Sequence, residues 1–332
     1  MEQNISHKFI NGLKEGEFVD GIYVVREKQV PTTKKGDLYL TLVLSDKTGC
    51  IEARKWDITR NLADTINVAD YVRITGVVGS YRKQLQLNIS NFIRTESKNI
   101  NPSLYIPTTD KDIEELWDKL ISVIKQIKNP YIVKLFENLF RDEKMSVAFK
   151  TAPAAVEFHH AYLGGLLEHT VSMLNIAEVL IEFYPILDRD ILIAGIVLHD
   201  IGKTEELAYD TTIYYTDSGK LIGHIILGAT IAKGLIDRIE NFPKSIENII
   251  LHLILSHHGE IEWGAPKRPQ CTEAIAVHHI DNIDAKLAGF ENILKKDKDP
   301  TSAWTEYSKM FDHQLYKGIY FLDNNEIGPE DK

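Results

Sequence analysis

Hydrophobic and polar positions follow two different periods along the chain. Between residues 18 and 94 apolar residues recur at every second position in short runs, as in YLTLVLSD, where Leu40, Leu42 and Leu44 share one face. From residue 108 the apolar spacing becomes three to four residues, as in DKDIEELWDKLISVIKQI, which is typical of amphipathic helices. The pattern therefore predicts a β domain followed by a helical one.

The β region contains five predicted strands. FVDGIYVVREKQV, YLTLVLSD and CIEARKW come first, with the turn signal Lys47-Thr48-Gly49 between the second and the third. A short helical stretch, DITRNLADTINVAD, separates them from YVRITGVVGSYR and QLQLNISNFIR. Three strands, one helix and two strands, at this size, are the order of an OB-fold, a five-stranded Greek-key barrel.

Helical patterns account for most of the remaining chain. Residues 95–107, with two prolines, predict a linker, and two amphipathic segments up to residue 150 predict a helical connector. We expect an all-helical domain over residues 151–325, with its last helix from about residue 302 to 321, a small hairpin near 209–219 and a frayed tail at 326–332. The expected protein is multidomain, β plus all-α, with its parts at residues 1–100, 101–150 and 151–325.

The composition agrees with two globular domains. The chain has 332 residues, 44% of them apolar and 26% charged, and its mean hydropathy is −0.18. No apolar run approaches the roughly 20 residues that span a bilayer, and the N-terminal sequence lacks the pattern of a secretory signal. Cys50 and Cys271 are the only cysteines, which excludes a disulfide framework and a cysteine-based zinc site. We expect a cytoplasmic protein with no membrane partner.

Charge is divided unevenly between the two regions. The net charge of −10 argues against a general affinity for nucleic acid. However, residues 1–100 hold 15 lysines and arginines against 12 aspartates and glutamates, whereas residues 101–332 hold 23 against 36. The basic surplus lies in the predicted barrel, and barrels of this type often bind single strands. We therefore expect nucleic-acid binding on the barrel.

Binding of a single strand requires cations for the phosphates and exposed aromatic rings for base stacking. Arg54 and Trp56 share one face of a strand, because strand side chains alternate with a period of two. The alternative is structural: Trp56 covers the barrel core and the cations are solvated. The candidates for the binding face are Arg54, Lys55, Trp56, Tyr81, Arg82 and Lys83, with Arg26, Lys28, Lys34, Lys35 and Tyr39 as further candidates.

Histidine and aspartate interrupt or end several apolar helical segments of the second region. They occur in GGLLEHTVSM, VLHDIGK, KLIGHIILG, LILSHHGE and HHIDNIDAKL. Imidazole and carboxylate together suit divalent transition metals. A single histidine is commonly a satisfied core or surface residue, but the ordered set favours a metal centre. Gly202 and Gly259 follow two of these helix ends as natural left-handed terminators, which predicts an open rim.

This set resembles the HD superfamily of metal-dependent phosphohydrolases. The resemblance implies a first metal on His169, His199, Asp200 and Asp281, and a second on His224, His257 and His258, with Asp200 bridging the two. Asp284 shares a helix face with Asp281 and is expected to support a ligand. Lys203 is expected either to hold a substrate phosphate or to complement a helix dipole. The catalytic candidates are Asp200, Lys203 and His160.

The order of a barrel, a helical connector and an HD domain, with FKTAPAA, GGLLEHT and HHIDNIDAK, resembles the YhaM family of 3′→5′ exoribonucleases over nearly the whole chain. The resemblance implies stepwise hydrolysis of single-stranded RNA by a metal-activated hydroxide, with single-stranded DNA as a further candidate substrate and a homo-oligomer as a candidate assembly. It implies divalent metal ions, two of them, with manganese first and cobalt, iron, nickel, zinc or magnesium as alternatives.

Two other classes of function remain open at this stage. One is an HD phosphohydrolase of mononucleotides or cyclic nucleotides, in which the barrel serves assembly. The other is a non-enzymatic nucleic-acid-binding protein with a structural metal. The stretch EWGAPKRP lacks the tyrosine of the Gly-Tyr-Pro motif found in HD phosphodiesterases of cyclic dinucleotides, which argues against a signalling enzyme.

Overall fold

The computed structural model describes residues 7–318, apart from residues 34, 82–83, 97–99, 157–159, 298 and 300–301. The chain forms two compact units: Met1–Thr108 with Ala208–Tyr214, and Thr109–Leu207 with Tyr215–Lys332. Three nucleic-acid candidates, Lys34, Arg82 and Lys83, lie outside the described residues, as does the tail at 326–332.

The first unit is a closed five-stranded barrel with the strand order β1-β2-β3-β5-β4. Strands β3 and β5 pair in parallel, and the other pairs are antiparallel. This topology confirms the predicted OB-fold. Its elements are β1 (Phe18–Gln29), β2 (Leu40–Asp46), β3 (Gly49–Lys55), the short helix α1 (Arg60–Ala63), β4 (Tyr71–Tyr81) and β5 (Gln84–Thr95).

Alternation along the strands fills the barrel. Leu40, Leu42 and Leu44 are completely buried in its core, as their period of two predicts. Outside the barrel, Tyr105 of the predicted linker packs against Tyr71 with ring centroids 4.9 Å apart and is buried. This part of the linker is therefore attached to the barrel unit.

The second unit is mainly helical. Several helices begin at polar N-cap residues. The side chains of Asp112, Asn129 and Asp142 each accept hydrogen bonds from backbone N–H groups of the first turn. No helix among the described residues is long and apolar enough to cross a membrane. The helices are α2 (Ile113–Ile124), α3 (Pro130–Arg141), α4 (Glu143–Thr151), α5 (Gly165–Phe183), α6 (Arg189–Leu198), α7 (Lys203–Glu206), α8 (Asp217–Leu221), α9 (His224–Ile236), α10 (Lys244–Ser256) and α11 (Thr272–Lys296).

Two small sheets interrupt the helices. Strands β6 (Leu207–Ala208) and β7 (Tyr214–Tyr215) pair in the region of the expected hairpin. The predicted helix from about 302 to 321 is wrong over the described residues, because β8 (Trp304–Ser308) and β9 (His313–Tyr316) form an antiparallel pair there. Trp304, Thr305 and Glu306 alternate as exposed, buried and exposed, which is the strand period. A register shift between Trp304 and Tyr307 then interrupts the alternation.

Helix α6 lies at the centre of the helical unit. Residues 191–198 are all buried, because α5, α10 and α11 pack around the helix. An added Cβ at Gly195 would lie 2.7 Å from Leu253 Cδ1, so α6 and α10 approach closely at this glycine. The surrounded position explains why this helix has a nearly continuous apolar sequence, and it places the following His199-Asp200 pair in the interior.

The turn after α6 depends on Gly202 for a steric reason. Its backbone is right-handed, with φ −62° and ψ −19°, so the expected left-handed terminator is wrong at this position. An added Cβ would lie 2.0 Å from the His224 carbonyl oxygen and 2.6 Å from the Gly228 nitrogen. Gly259, in contrast, has the left-handed φ of 79°.

We predict that Gly202→Ala destabilises the protein by about 1–3 kcal/mol, because α9 must move away from the turn. The matched control is Gly234→Ala within α9, where an added Cβ meets nothing within 4 Å. That change is expected to stabilise by about 0.5–1 kcal/mol. Chemical denaturation of the metal-free proteins measures both effects, and equal stability of the two variants would contradict the close approach.

Candidate metal centre and nucleic-acid face

Imidazoles from four parts of the helical unit converge on the carboxylate of Asp200. Its Oδ1 atom lies 3.6 Å from Nε2 of both His224 and His257. Its Oδ2 atom lies 3.2 Å from Nε2 of His199 and 3.9 Å from Nε2 of His169. The carboxylate therefore stands between two sets of histidines, with one oxygen toward each.

The two sets form separate groups of potential ligands. Candidate ligand atoms lie within 4.8 Å of one another in the group of His169, His199 and Asp281, and also in the group of His224, His257 and His258. The Oδ1 atom of Asp281 is 3.2 Å from Nε2 of His169. The structure thus brings together all seven residues that the sequence suggested as metal ligands.

The helix ends orient three of these histidines. His199 and His257 follow the last residues of α6 and α10, and each donates from Nδ1–H to the carbonyl three residues earlier, Ile196 or Ile254, at 2.7 Å. The last carbonyls of a helix have no intrahelical partner, so they are available to such side chains. His258 likewise donates from Nδ1–H to the Trp263 carbonyl at 2.9 Å.

Carboxylates orient the other two histidines. His169 Nδ1 donates to Asp284 Oδ2 at 2.7 Å, and His224 Nδ1 donates to Glu206 Oε1 at 3.0 Å. With Nδ1–H engaged, the Nε2 atom of each ring is the one that faces Asp200.

Several of the inward-facing atoms have no partner in the protein. Leaving a buried donor or acceptor unsatisfied costs about 1–3 kcal/mol. Several unsatisfied atoms that cluster at one site therefore indicate a bound ligand. A divalent cation fits, because lone pairs and a carboxylate point to a common centre. Among the described residues, the buried atoms without a hydrogen-bond partner at this centre are His199 Nε2, Asp200 Oδ1, His224 Nε2 and His257 Nε2.

The electrostatics of the centre also suit a cation. Burial raises the pKa of Asp200, but Lys203 and His199 hold it well below its usual range. Burial and the neighbouring His199 lower the pKa of His257 far below the usual value, so its imidazole is neutral. Burial opposes protonation of His169, but Asp281 and Asp284 raise its pKa to about 9. A cation bound by this imidazole would therefore compete with a proton.

Lys203 lies at the edge of the same centre. Its Nζ donates to Asp200 Oδ2, and both side chains are largely buried. Burial lowers the pKa of Lys203, but the Asp200 carboxylate more than offsets this and raises it. The contact places a positive charge beside the carboxylate.

His160 forms a further group with His169 and Asp284, in which candidate ligand atoms also lie within 4.8 Å of one another. Its Nε2 is 2.9 Å from Asp284 Oδ2, and its Nδ1 is 2.8 Å from the Tyr162 hydroxyl. Asp284 also accepts a bond from Ser172. His160 supports Asp284, which in turn orients His169, and the role of His160 as a catalytic residue stays a prediction. Asp281 approaches the Nε2 side of His169, whereas Asp284 contacts its Nδ1 side.

The barrel presents a separate aromatic and basic face. Trp56 is 47% exposed and stacks on Tyr39 with ring centroids 4.9 Å apart, so it does not cover the barrel core. The Arg54 guanidinium lies 5.5 Å from the centroid of the half-exposed Tyr81 ring. Lys55 donates to the Ser90 carbonyl at 2.9 Å. Tyr39 and Tyr81 stand at the β1–β2 and β4–β5 loops, which carry ligands in many OB-folds.

Comparison with known proteins agrees with the assignment of both the barrel and the helical unit. One family model, the OB-fold nucleic acid binding domain, matches residues 24–94, and another, the HD domain, matches residues 166–286. A protein of Geobacillus sp. with the name 3′-5′ exoribonuclease YhaM is 35% identical over 309 residues, 92% of this chain and 93% of the relative. The chain belongs to the YhaM family. Members from Bacillus subtilis and Shouchella clausii are 37% and 39% identical, over 85% and 87% of this chain and 90% of each relative.

In this YhaM-family chain, sequence reasoning missed Glu206. Its carboxylate is buried, and it accepts bonds from both the ring and the backbone N–H of His224. Its pKa is lowered, because the bonds from His224 outweigh the effect of burial. A glutamate three residues after Lys203 carries no distinctive signal, since the contact depends on how α7 meets α9.

We predict that manganese raises the melting temperature of the chelator-treated protein, by an amount equivalent to about 2.7 kcal/mol at 100 times its dissociation constant. His257→Ala should lose most of this increase, because it removes an inward-facing Nε2. The matched control is His252→Ala on α10, whose Nε2 accepts a bond from the Gln270 amide instead. Thermal denaturation with and without metal measures the effect. Equal increases in both variants would show that metal binds elsewhere.

Proposed function

We propose that this protein hydrolyses single-stranded RNA stepwise from the 3′ end, with two divalent metal ions, manganese first among the candidates. The observation that carries the proposal is the convergence of five histidines and two aspartates within a helical unit of the HD type. Family membership supports the substrate, because the relatives are named 3′-5′ exoribonucleases. Single-stranded DNA is a further candidate substrate, and the cytoplasm is the proposed compartment.

Each metal has its own group of ligands in this proposal. His169, His199 and Asp281 would hold the first, His224, His257 and His258 the second, and Asp200 would contribute one oxygen to each. When bound, such a pair of ions lowers the pKa of water and neutralises the phosphate that is attacked. The donors are imidazole and carboxylate, which suit manganese, iron, cobalt, nickel and zinc, whereas magnesium prefers oxygen ligands.

The protein side chains contribute orientation and charge. The Nδ1–H bonds hold the imidazoles in place before any substrate arrives, which avoids reorganisation during the reaction. Lys203 would donate to a phosphate oxygen from its position beside Asp200. Asp284, held by His160 and Ser172, keeps His169 oriented.

The barrel would supply affinity for the RNA. Unpaired bases can stack on the Tyr39–Trp56 pair, and the Arg54 guanidinium can meet phosphates. Paired bases hide their faces, so this surface favours single strands. We assign binding to residues 1–100 and chemistry to residues 151–325, in line with the basic surplus of the first region and the acidic surplus of the rest.

The decisive experiment uses 5′-labelled single-stranded RNA with manganese, and resolves the products by length. We predict a ladder that shortens from the 3′ end, with resistance of blunt duplexes and pauses at stable hairpins. Asp200→Ala and His199→Ala should each lower the rate by more than about 100-fold, beyond the 10–100-fold typical of an outer-shell partner. Circular dichroism of both variants checks that the helices remain.

Different results would support the other classes of function. Release of phosphate from mononucleotides without any shortening of RNA would favour a nucleotidase. Binding of RNA without hydrolysis of RNA or of bis-p-nitrophenyl phosphate would favour a non-enzymatic protein. Wild-type rates in both Asp200→Ala and His199→Ala would contradict the proposed metal centre.

We predict that Trp56→Ala weakens binding of single-stranded RNA by about 1–3 kcal/mol through loss of a stacking surface. Affinity is measured at several salt concentrations in the Asp200→Ala background, so that the RNA survives. The log–log salt slope should stay unchanged, because tryptophan carries no charge. The same substitution with Asp200 intact should leave the rate on bis-p-nitrophenyl phosphate unchanged.

The matched control for Trp56→Ala is Ile93→Ala, which removes another exposed apolar side chain of the barrel. Ile93 lies near the end of β5, away from the β4–β5 loop. Its removal should leave RNA affinity within about twofold of the wild type, as for most surface changes. Equal losses in the two variants would place the RNA elsewhere on the protein.

A further inference from the structure

Glu206, the last residue of α7, contacts the first residue of α9 through two hydrogen bonds. Its Oε1 atom accepts from His224 Nδ1–H at 3.0 Å and from the His224 backbone N–H at 2.9 Å. The Glu206 side chain is 9% exposed. Its own backbone is held as well, since its carbonyl accepts from the Thr216 amide at 2.9 Å. The carboxylate is therefore a fixed element of the site.

The two bonds determine how His224 presents its ring. Nδ1 must carry the proton that Glu206 accepts, so the lone pair of the neutral ring is on Nε2. That atom lies 3.6 Å from Asp200 Oδ1, on the side of the centre shared with His257. A carboxylate behind a histidine ligand also makes the imidazole a stronger donor to a metal.

The two groups of ligands differ in charge. Asp281 belongs to the group of His169, and Asp284 stands directly behind that histidine. The group of His224, His257 and His258 contains three imidazoles and no carboxylate. Among the described contacts, the carboxylates that reach this second group are Asp200, which both groups share, and Glu206.

The backbone supplies the other supports of the second group. His257 and His258 donate to carbonyl oxygens, which are neutral and belong to the chain on either side of them. Glu206 thus differs from these supports in two respects: it carries a full negative charge, and it links two separate helices. Its loss would change the charge of the second group while leaving the first group and its Asp284 support in place.

We propose that Glu206 is a positioning residue for the second metal, which orients His224 and supplies the negative charge that its group lacks. The two metals then have separate supports, Asp284 for the first and Glu206 for the second. This inference rests on the proposed function only in taking His224 as a metal ligand. It predicts that the two sites can be weakened one at a time.

The test is a titration of the chelator-treated protein with manganese, monitored by calorimetry and by electron paramagnetic resonance. Wild type should bind two ions with the spectrum of a coupled pair. Glu206→Gln removes the charge at nearly constant shape, and should weaken one site by about 10–100-fold while the other keeps its affinity. At one equivalent of manganese, the variant should show the spectrum of a single, uncoupled manganese ion. Glu205→Gln is the matched control, because Glu205 is the exposed neighbour in α7, and it should behave as wild type.

A purely structural role for Glu206 predicts a different result, in which both sites weaken together. That result, or two unchanged sites in Glu206→Gln, would overturn the proposal. If Glu206→Gln does not fold, Glu206→Asp is titrated instead, since it keeps the charge but shortens the reach and should weaken the same site. No RNA is present, so a failure of the wild type to degrade RNA would leave this test intact.

Discussion

The hydrogen bond on the Nδ1 side of each ligand histidine is the interaction on which the candidate site depends. Two carboxylates and three backbone carbonyls accept these bonds. An imidazole has two nitrogens, and only an engaged Nδ1–H leaves Nε2 available in a defined direction. Four of these histidines place Nε2 within 4 Å of an Asp200 oxygen. The arrangement leaves buried acceptors that a cation would satisfy.

The fold makes this arrangement possible through burial and close packing. Because α6 is surrounded by other helices, the pair that follows it is placed in the interior with almost no exposure. Gly202 then allows the chain to pass against the start of α9, which brings His224 to the opposite side of Asp200. The cost of burying carboxylates there is offset by Lys203 and the imidazoles, and by metal when it is bound. The exposed aromatic pair of the barrel suits a different task.

Sequence predicted those features whose signal is local. The strand order of the barrel follows from alternation and turns, and the seven candidate ligands, which the structure brings together, come from short motifs that resemble a known superfamily. Features that depend on contacts between distant segments were missed. Glu206 gains its position only when α7 meets α9, His160 contacts Asp284 of α11, and Gly202 serves close packing instead of a left-handed turn. The β8–β9 pair was mistaken for a helix, since its period-two pattern is only a few residues long.

The measurement that tests the account most directly is anomalous diffraction from crystals of the protein grown with manganese. The account predicts two anomalous peaks, one bonded to Nε2 of His169 and His199 and the other to Nε2 of the second group, with Asp200 between them. Every Nδ1 should keep the hydrogen bond described above. A metal bonded through Nδ1, or no peak at the group of His224, His257 and His258, would contradict the view that these hydrogen bonds preset a two-metal centre.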